Sequence, residues 1–246
     1  MRPKYRLMPA QIRIDNLPTP RDLNQVNGEK SVAINVMDFG AVPDGETDNT
    51  DGKSIRCQIH QGPMLLSRFT FLFCFLIAFQ QALDAAGAKD GSHIVFAPAG
   101  KYKFSGSLKF PPTVALIGTY QKAPSHQFPK GAPSDGTVLM PTANEGNADA
   151  PGFLHIQTDG TLRGVCIYYP RQTGEKKVIE YPFAISLSGN DAAVIDVELL
   201  NAYQGVKAVG AARHYLARIE GQPIHTGVYL DQIYDIGRLE DVHFNP

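Results

Sequence analysis

Four stretches of the chain place apolar residues by one rule. An apolar position is followed after two residues by a second, and after one more by a third position that is usually apolar. The stretches are Leu162/Val165/Ile167, Val194/Val197/Leu199, Leu216/Ile219/Gly221 and Leu239/Val242/Phe244. They open at residues 162, 194, 216 and 239, at intervals of 32, 22 and 23 residues. A short strand recurring at a coil-sized interval predicts a β-solenoid, whose long faces suit long polymers better than small molecules. The first interval is too long by about one loop. Aligning the repeats stacks positions 0, 3 and 5 as an inward apolar core. Strand alternation then turns positions 2 and 4 outward.

The rest of the chain is turn-rich. Ser31–Phe39 alternates toward a short strand through Val32, Ile34 and Val36. Asp38–Thr50 is dense in loop punctuation, with Pro43 and Gly45. It ends on Asp48 and Thr50, residue types that cap helices. Ala78–Gly87 predicts a helix, with Phe79, Ala82, Leu83 and Ala86 on one face and a stop at Gly87. Strands are expected over His93–Phe96, Lys101–Phe104 and Val114–Ile117, and residues 121–152 read as a long loop excursion. The expected organisation is an irregular N-terminal segment over 1–30, then a partial β-helix over 31–246. The last residues fall inside the fourth repeat with no capping element after them. A solenoid needs a cap, so the chain is expected to be the N-terminal part of a longer protein.

Gly52–Ile77 does not fit its surroundings. Without these residues, Asp48-Asn49-Thr50-Asp51 runs directly into the helix at Ala78-Phe79-Gln80. The stretch ends in Phe69–Ile77, an apolar run without strand or helix period. A translated intron accounts for it best: Gly52-Lys53 fits a splice donor, and the Phe/Leu-rich run fits a pyrimidine tract. A membrane span would need ~20 apolar residues. A true insertion would have to hide the apolar run.

The formal net charge of −1 gives no reason to expect nucleic acid or an anionic membrane as partner. The 23 Gly and 18 Pro suit a turn-rich β protein. Three Cys make neither a disulfide framework nor a metal motif. The first thirty residues lack the apolar core of a signal peptide. Trp is absent, so Tyr would have to supply any sugar-stacking ring.

The run Asn35-Val36-Met37-Asp38-Phe39-Gly40-Ala41-Val42-Pro43-Asp44-Gly45-Glu46-Thr47-Asp48-Asn49-Thr50, followed by Ala78-Phe79-Gln80-Gln81-Ala82-Leu83, resembles the opening of pectate-lyase-superfamily proteins. Val95–Tyr102 and Gly237–Pro246 fit the same pattern. The nearest group is the rhamnogalacturonase/epimerase-like pectate lyase domain, related to family 28 glycoside hydrolases. The resemblance covers roughly residues 32–246 apart from the insertion. It implies an all-β fold, a right-handed parallel β-helix with an N-terminal capping helix, whose C-terminal coils and cap would be missing here. It implies an extracellular setting and a polysaccharide partner. In such families the Asp-Gly-x-Thr-Asp segment is architectural. The Asn-Thr-Asp, Asp-Asp, Gly-His-Gly and Arg-Ile-Lys set of family 28 has no match: Asn190-Asp191 is not that motif, and Arg218-Ile219-Glu220 differs at its third residue.

Two outward columns carry candidate chemistry. One reads Gly164, Asp196, Arg218, Asp241, and reads most simply as a surface ion-pair ladder. The other reads Cys166, Glu198, Glu220, His243. Coils stand about 4.8 Å apart, so Glu198 and Glu220 match the spacing of a retaining glycosidase pair and disfavour each other's ionisation. Two solvated glutamates leaning apart are the simpler reading. Asp196 and Asp241, two coils apart, suit the wider inverting separation. Asp231 and Asp235 form a further pair, about 13 Å apart on a straight strand unless the chain bends at Tyr234. Arg213, His214, Arg218, Tyr234 and His243 are candidate substrate-binding residues. Tyr203 and Tyr229 are rings that either stack on sugar or pack between coils.

Three functions compete. Hydrolysis of a pectin-like or acidic polysaccharide needs two carboxyls across the groove. A lyase would abstract the proton beside a uronate carboxylate, with Ca2+ on a carboxylate cluster and a basic residue. Arg218 between Asp196 and Asp241 comes nearest to that set; for a hydrolase no cofactor or metal is expected. The third reading is a non-catalytic or inactive β-helix.

Overall fold

The computed structural model describes residues 33–50, 78–120, 135–172 and 177–245. Segments 1–30 and 52–77 lie outside the described residues. The strands are β1 (Ile34–Asn35), β2 (Asp44–Asp48), β3 (Ile94–Phe96), β4 (Gly100–Phe104), β5 (Leu108–Phe110), β6 (Ala115–Ile117), β7 (Thr137–Pro141), β8 (Leu154–Ile156), β9 (Thr161–Tyr168), β10 (Phe183–Leu187), β11 (Ala193–Leu200), β12 (Gln204–Val209), β13 (Tyr215–Gly221), β14 (Thr226–Asp231) and β15 (Arg238–Phe244). The helix α1 spans Ala78–Ala86.

Every strand pairing among the described residues is parallel. The pairings make three ladders. The first runs β1-β3-β6-β9-β11-β13-β15, and the third runs β5-β8-β10-β12-β14. The second runs β2-β4-β7 and joins the C-terminal half of β9, through Val138↔Cys166 and Leu139↔Ile167. The N-terminal half of β9 pairs instead with β6 of the first ladder. Successive turns of the chain thus stack one rung on each face. The fold is a parallel β-helix.

The repeat pattern is a register. Leu162, Val194, Leu216 and Leu239 are rung partners, as are Val165, Val197, Ile219 and Val242. Ile167, Leu199, Gly221 and Phe244 make the third set. The two-residue gap has a physical cause. Gly164, Asp196, Arg218 and Asp241 have φ of 66°, 55°, 50° and 51°. One left-handed residue turns each long strand from the first face to the second. Position 2 is therefore a bend and not the outward site of a straight strand. The long first interval falls between β9, which ends at Tyr168, and β10, which begins only at Phe183.

The core is the stacked interior of these rungs, with Leu162, Val194, Leu216, Val165 and Ile219 fully buried. α1 buries Ala78, Phe79, Ala82, Leu83 and Ala86 and packs against β1, β3 and β5. Its Phe79 ring stands edge-on to Tyr102 and Phe104, at 5.0 Å from each. No helix among the described residues is long and apolar enough to cross a membrane.

The turn-dense opening is stitched to strands. Asn49 is buried, takes the Val42 N–H at 2.8 Å on Oδ1, and donates from Nδ2 to the Val42 and Thr47 carbonyls. Asp48 Oδ1 and Thr50 Oγ1 accept from the Ser105 N–H just past β4. These cap-type residues thus bind β4's end, and Asp44–Asp48, expected as turn, is itself a strand. Of the strand expected over Ser31–Phe39, residues 31–32 lie outside the described residues; β1 covers Ile34–Asn35 and passes into a 3-10 turn over Val36–Phe39. Asn35 Oδ1 takes the Met37 N–H there, and Gly40 ends the turn at φ 86°.

Candidate functional site

Two outer surfaces gather polar side chains. The first is a shallow recess beside the bend column, lined by Tyr120, Asp196, Val197, Glu198, Arg218 and Glu220. Asp196 sits between two arginines: Oδ2 accepts from Arg163 Nε at 3.1 Å and Oδ1 from Arg218 Nε at 2.5 Å. Burial alone would raise the Asp196 pKa, but the hydrogen bonds and charges of Arg218 and Arg163 outweigh it and hold the carboxyl below its usual value. The same bond to Asp196 raises Arg218. The pair is locked in its charged form. Asp196 is unsuited to donate a proton, and Arg218 is unsuited to act as a lyase base. The inverting pair Asp196/Asp241 meets the same obstacle, because Arg218 stands between the two rungs.

Glu198 and Glu220 are rung partners, with Cys166 before them and His243 after. Their expected adjacency is present, but neither is an open surface acid. Tyr120 donates its hydroxyl to Glu198, and Glu220 is 9% exposed. Cys166 is buried, which raises its thiol pKa well above normal, and the charge of Glu198 adds to the rise. Tyr120 joins Val138, Met140, Cys166, Tyr168 and Leu200 in a buried apolar cluster on this outer side. Tyr120 is thus partly a packing residue.

The second surface is the outer side of the third ladder. One residue per turn forms a column: Lys109↔His155, His155↔Ser186, Ser186↔Lys207 and Lys207↔Tyr229. Five rungs at about 4.8 Å span about 19 Å. The flanking rung residues Leu108, Phe110, Leu154, Ile156, Ile185, Leu187, Val206 and Ala208 are buried, so alternation turns the column outward. One further aromatic ring, that of Phe183, joins it. Lys207 Nζ lies 5.6 Å from the centre of the Phe183 ring, a cation–π geometry. Phe183 in turn lies 6.2 Å from Tyr229, which is 44% exposed. Asp231 closes the column's end, in register with Val209 and 3.4 Å from the Tyr229 hydroxyl.

Of the acids expected to work together, Asp231 and Asp235 are separated by conformation. Gln232 has φ 53°, so the strand ends at Asp231 and the straight-strand pair does not form. Asp235 turns to the corner before β15 and accepts from Arg213 Nη1 at 3.2 Å. Arg213 also grips Asp191, with Nε and Nη2 at 2.8 and 2.7 Å, so its guanidinium is spent on a corner ion ladder. His214 is buried, its Nδ1 2.8 Å from the Ala211 carbonyl and its ring close against Gly237. It does not reach solvent and cannot bind sugar. Tyr234 is 86% exposed, and Asp241 and His243 lie on the exposed last strand. Tyr203 stacks on His225 at 4.9 Å.

The basic column was missed in the sequence because no motif marks it. Its signal is the coil interval itself: Ser186, Lys207 and Tyr229 recur at 21 and 22 residues, the interval of the core repeats. Among the described residues, no three His, Cys, Asp or Glu side chains are grouped to hold a metal ion.

No protein-family model and no curated protein matches the chain. Among solved structures it is similar to the A-module of a mannuronan C-5 epimerase of Azotobacter vinelandii, with a TM-score of 0.51 and 18% identity over 86% of this chain and 52% of the other. It is also similar to the ORF18 protein of Geobacillus virus E2, with a TM-score of 0.52 and 15% identity over 87% of this chain and 43% of the other. These are likenesses of fold. The chain spans about half the length of the structures it matches.

Proposed function

We propose that this chain is a carbohydrate-active β-helix protein that holds an acidic polysaccharide along the outer face of the third ladder. The carrying observation is the column Lys109, His155, Ser186, Lys207, Tyr229, with Phe183 beside it. Lysines answer the carboxylates of a uronate chain. The exposed Tyr229 ring, with the half-buried Phe183 ring beside it, answers its apolar sugar faces. A rung spacing of about 4.8 Å lets consecutive rungs meet consecutive parts of one extended polymer. In this reading the coils wind right-handed, as parallel crossovers do, α1 covers the N-terminal end of the stack, and the protein works outside the cell.

For the chemistry we propose glycosidic hydrolysis with Asp231 as the carboxyl on this face, a second carboxyl completing the pair that hydrolysis needs. Non-catalytic binding is the second reading. It is favoured by the binding of Asp196, Asp235 and Asp191 to arginines, which leaves them poorly placed to transfer protons.

The test incubates the full chain with polygalacturonate and alginate and follows three signals: new reducing ends, ultraviolet-absorbing unsaturated ends, and retention on the immobilised polymer. Reducing ends alone, abolished in Asp231→Asn without loss of binding, support hydrolysis. Unsaturated products show elimination in its place. Retention without turnover supports the binding reading, and absence of retention overturns the proposal.

A further inference from the structure

We infer that His155 is the pH-dependent rung of the polyanion-binding face, adding its positive charge when the medium acidifies and the polymer is bound. This rests on the face proposed above.

The geometry places His155 between two fixed neighbours. On β5 its rung partner is Lys109, and on β10 it is Ser186. Lys207 of β12 stands one rung beyond Ser186. His155 is half-buried on the outer side of β8, while its strand neighbours Leu154 and Ile156 are buried in the core. The charge bearing on it from the adjacent strand is therefore a cation, and its other rung partner is a neutral hydroxyl.

Burial favours the neutral ring. A hydrogen bond with the Gly152 backbone works against that, and Lys109 repels the added proton. The net direction is below the ordinary His value. At neutral pH the free protein thus presents Lys109 and Lys207 with two neutral rungs between them. A bound uronate chain reverses the balance, because its carboxylates attract the proton that Lys109 repels. By linkage, a ligand that favours the protonated ring takes up a proton as it binds, and protonation tightens its binding by the same factor. Affinity must rise as the pH falls below the His range, about 6.5. Both lysines stay charged throughout, so their contribution does not follow pH.

The test measures polygalacturonate binding by the full chain at about pH 8 and about pH 5, at one ionic strength. Calorimetry in buffers of different ionisation enthalpy counts the protons taken up. The expected result is about threefold to tenfold tighter binding at the lower pH, with proton uptake. His155→Gln loses both the tightening between the two pH values and the proton uptake. His155→Lys binds tightly at both values, and its behaviour guards against a mere folding defect in the first variant. His225→Gln keeps the full pH response. Wild-type affinity that ignores pH, or a response that survives in His155→Gln, overturns the inference. Failure of the underlying face looks different: Lys109→Ala and Lys207→Ala then leave binding at pH 8 unchanged.

Discussion

Replacing Gly164 by Ala probes the bend that turns each coil. Gly164 has φ 66°, a region that costs an L-residue roughly 1–2 kcal/mol. The added Cβ would also sit 2.8 Å from the Gly118 carbonyl oxygen, so β9 and its neighbouring coil would have to part. Together these amount to about 2–3 kcal/mol of lost stability. In a domain of this size each kcal/mol moves the melting temperature by about 2–4 °C, so the variant should melt about 4–12 °C lower. Arg218→Gly supplies the contrast. Glycine relieves the left-handed backbone at φ 50°, by about 1 kcal/mol. It also loses one partly exposed ion pair to Asp196, worth about 0–1 kcal/mol. Its net change should be near zero. Circular dichroism during thermal and urea unfolding measures both. A Gly164→Ala protein that melts with the wild type, or an Arg218→Gly protein that loses as much as Gly164→Ala, refutes the bend column.

Asp196→Asn should lower stability by about 1–2 kcal/mol at neutral pH, because two arginines lose their anion. The folded pKa of Asp196 is depressed, so this stability is present above its unfolded value and lost as the pH falls through the folded one. Urea titrations of the two proteins should therefore converge in acid, and a constant gap contradicts the assignment. Asn49→Ala removes the buried side chain that serves both the N–H and the carbonyl of Val42, and should cost about 2–3 kcal/mol in urea unfolding. Lys207→Ala should weaken polygalacturonate binding and flatten its dependence on salt, since screening acts on charges; unchanged salt dependence contradicts its place in the face.

The first ladder was legible because its rungs repeat one apolar pattern, Leu162/Val165/Ile167 and its successors, at intervals close to the coil length. The helix Ala78–Ala86 was legible from its single apolar face and the stop at Gly87. The bend was visible only as an unexplained two-residue gap. A left-handed Asp196 or Arg218 has no sequence signature of its own, and only stacking over Gly164 shows what the column does. The third ladder was largely hidden. Its strands are short, their inward residues include small ones such as Ala208, and their partners lie a full coil away, so no local turn announces the pairing. The same hidden ladder holds the basic column, whereas Asp196 and Arg213, which stand beside the legible repeats, are tied into ion ladders. Asp231 is legible as a candidate acid but its pairing with Asp235 is not: the turn at Gln232 parts them and leaves Asp231 beside Tyr229.

The most direct test of the account is a crystal structure of the protein with an oligogalacturonate bound. The account predicts the saccharide on the outer face of the third ladder, its carboxylates against Lys109 and Lys207 and a sugar ring against Tyr229. A saccharide seated in the recess of Glu198, Glu220 and Arg218, with the third ladder bare, would contradict it.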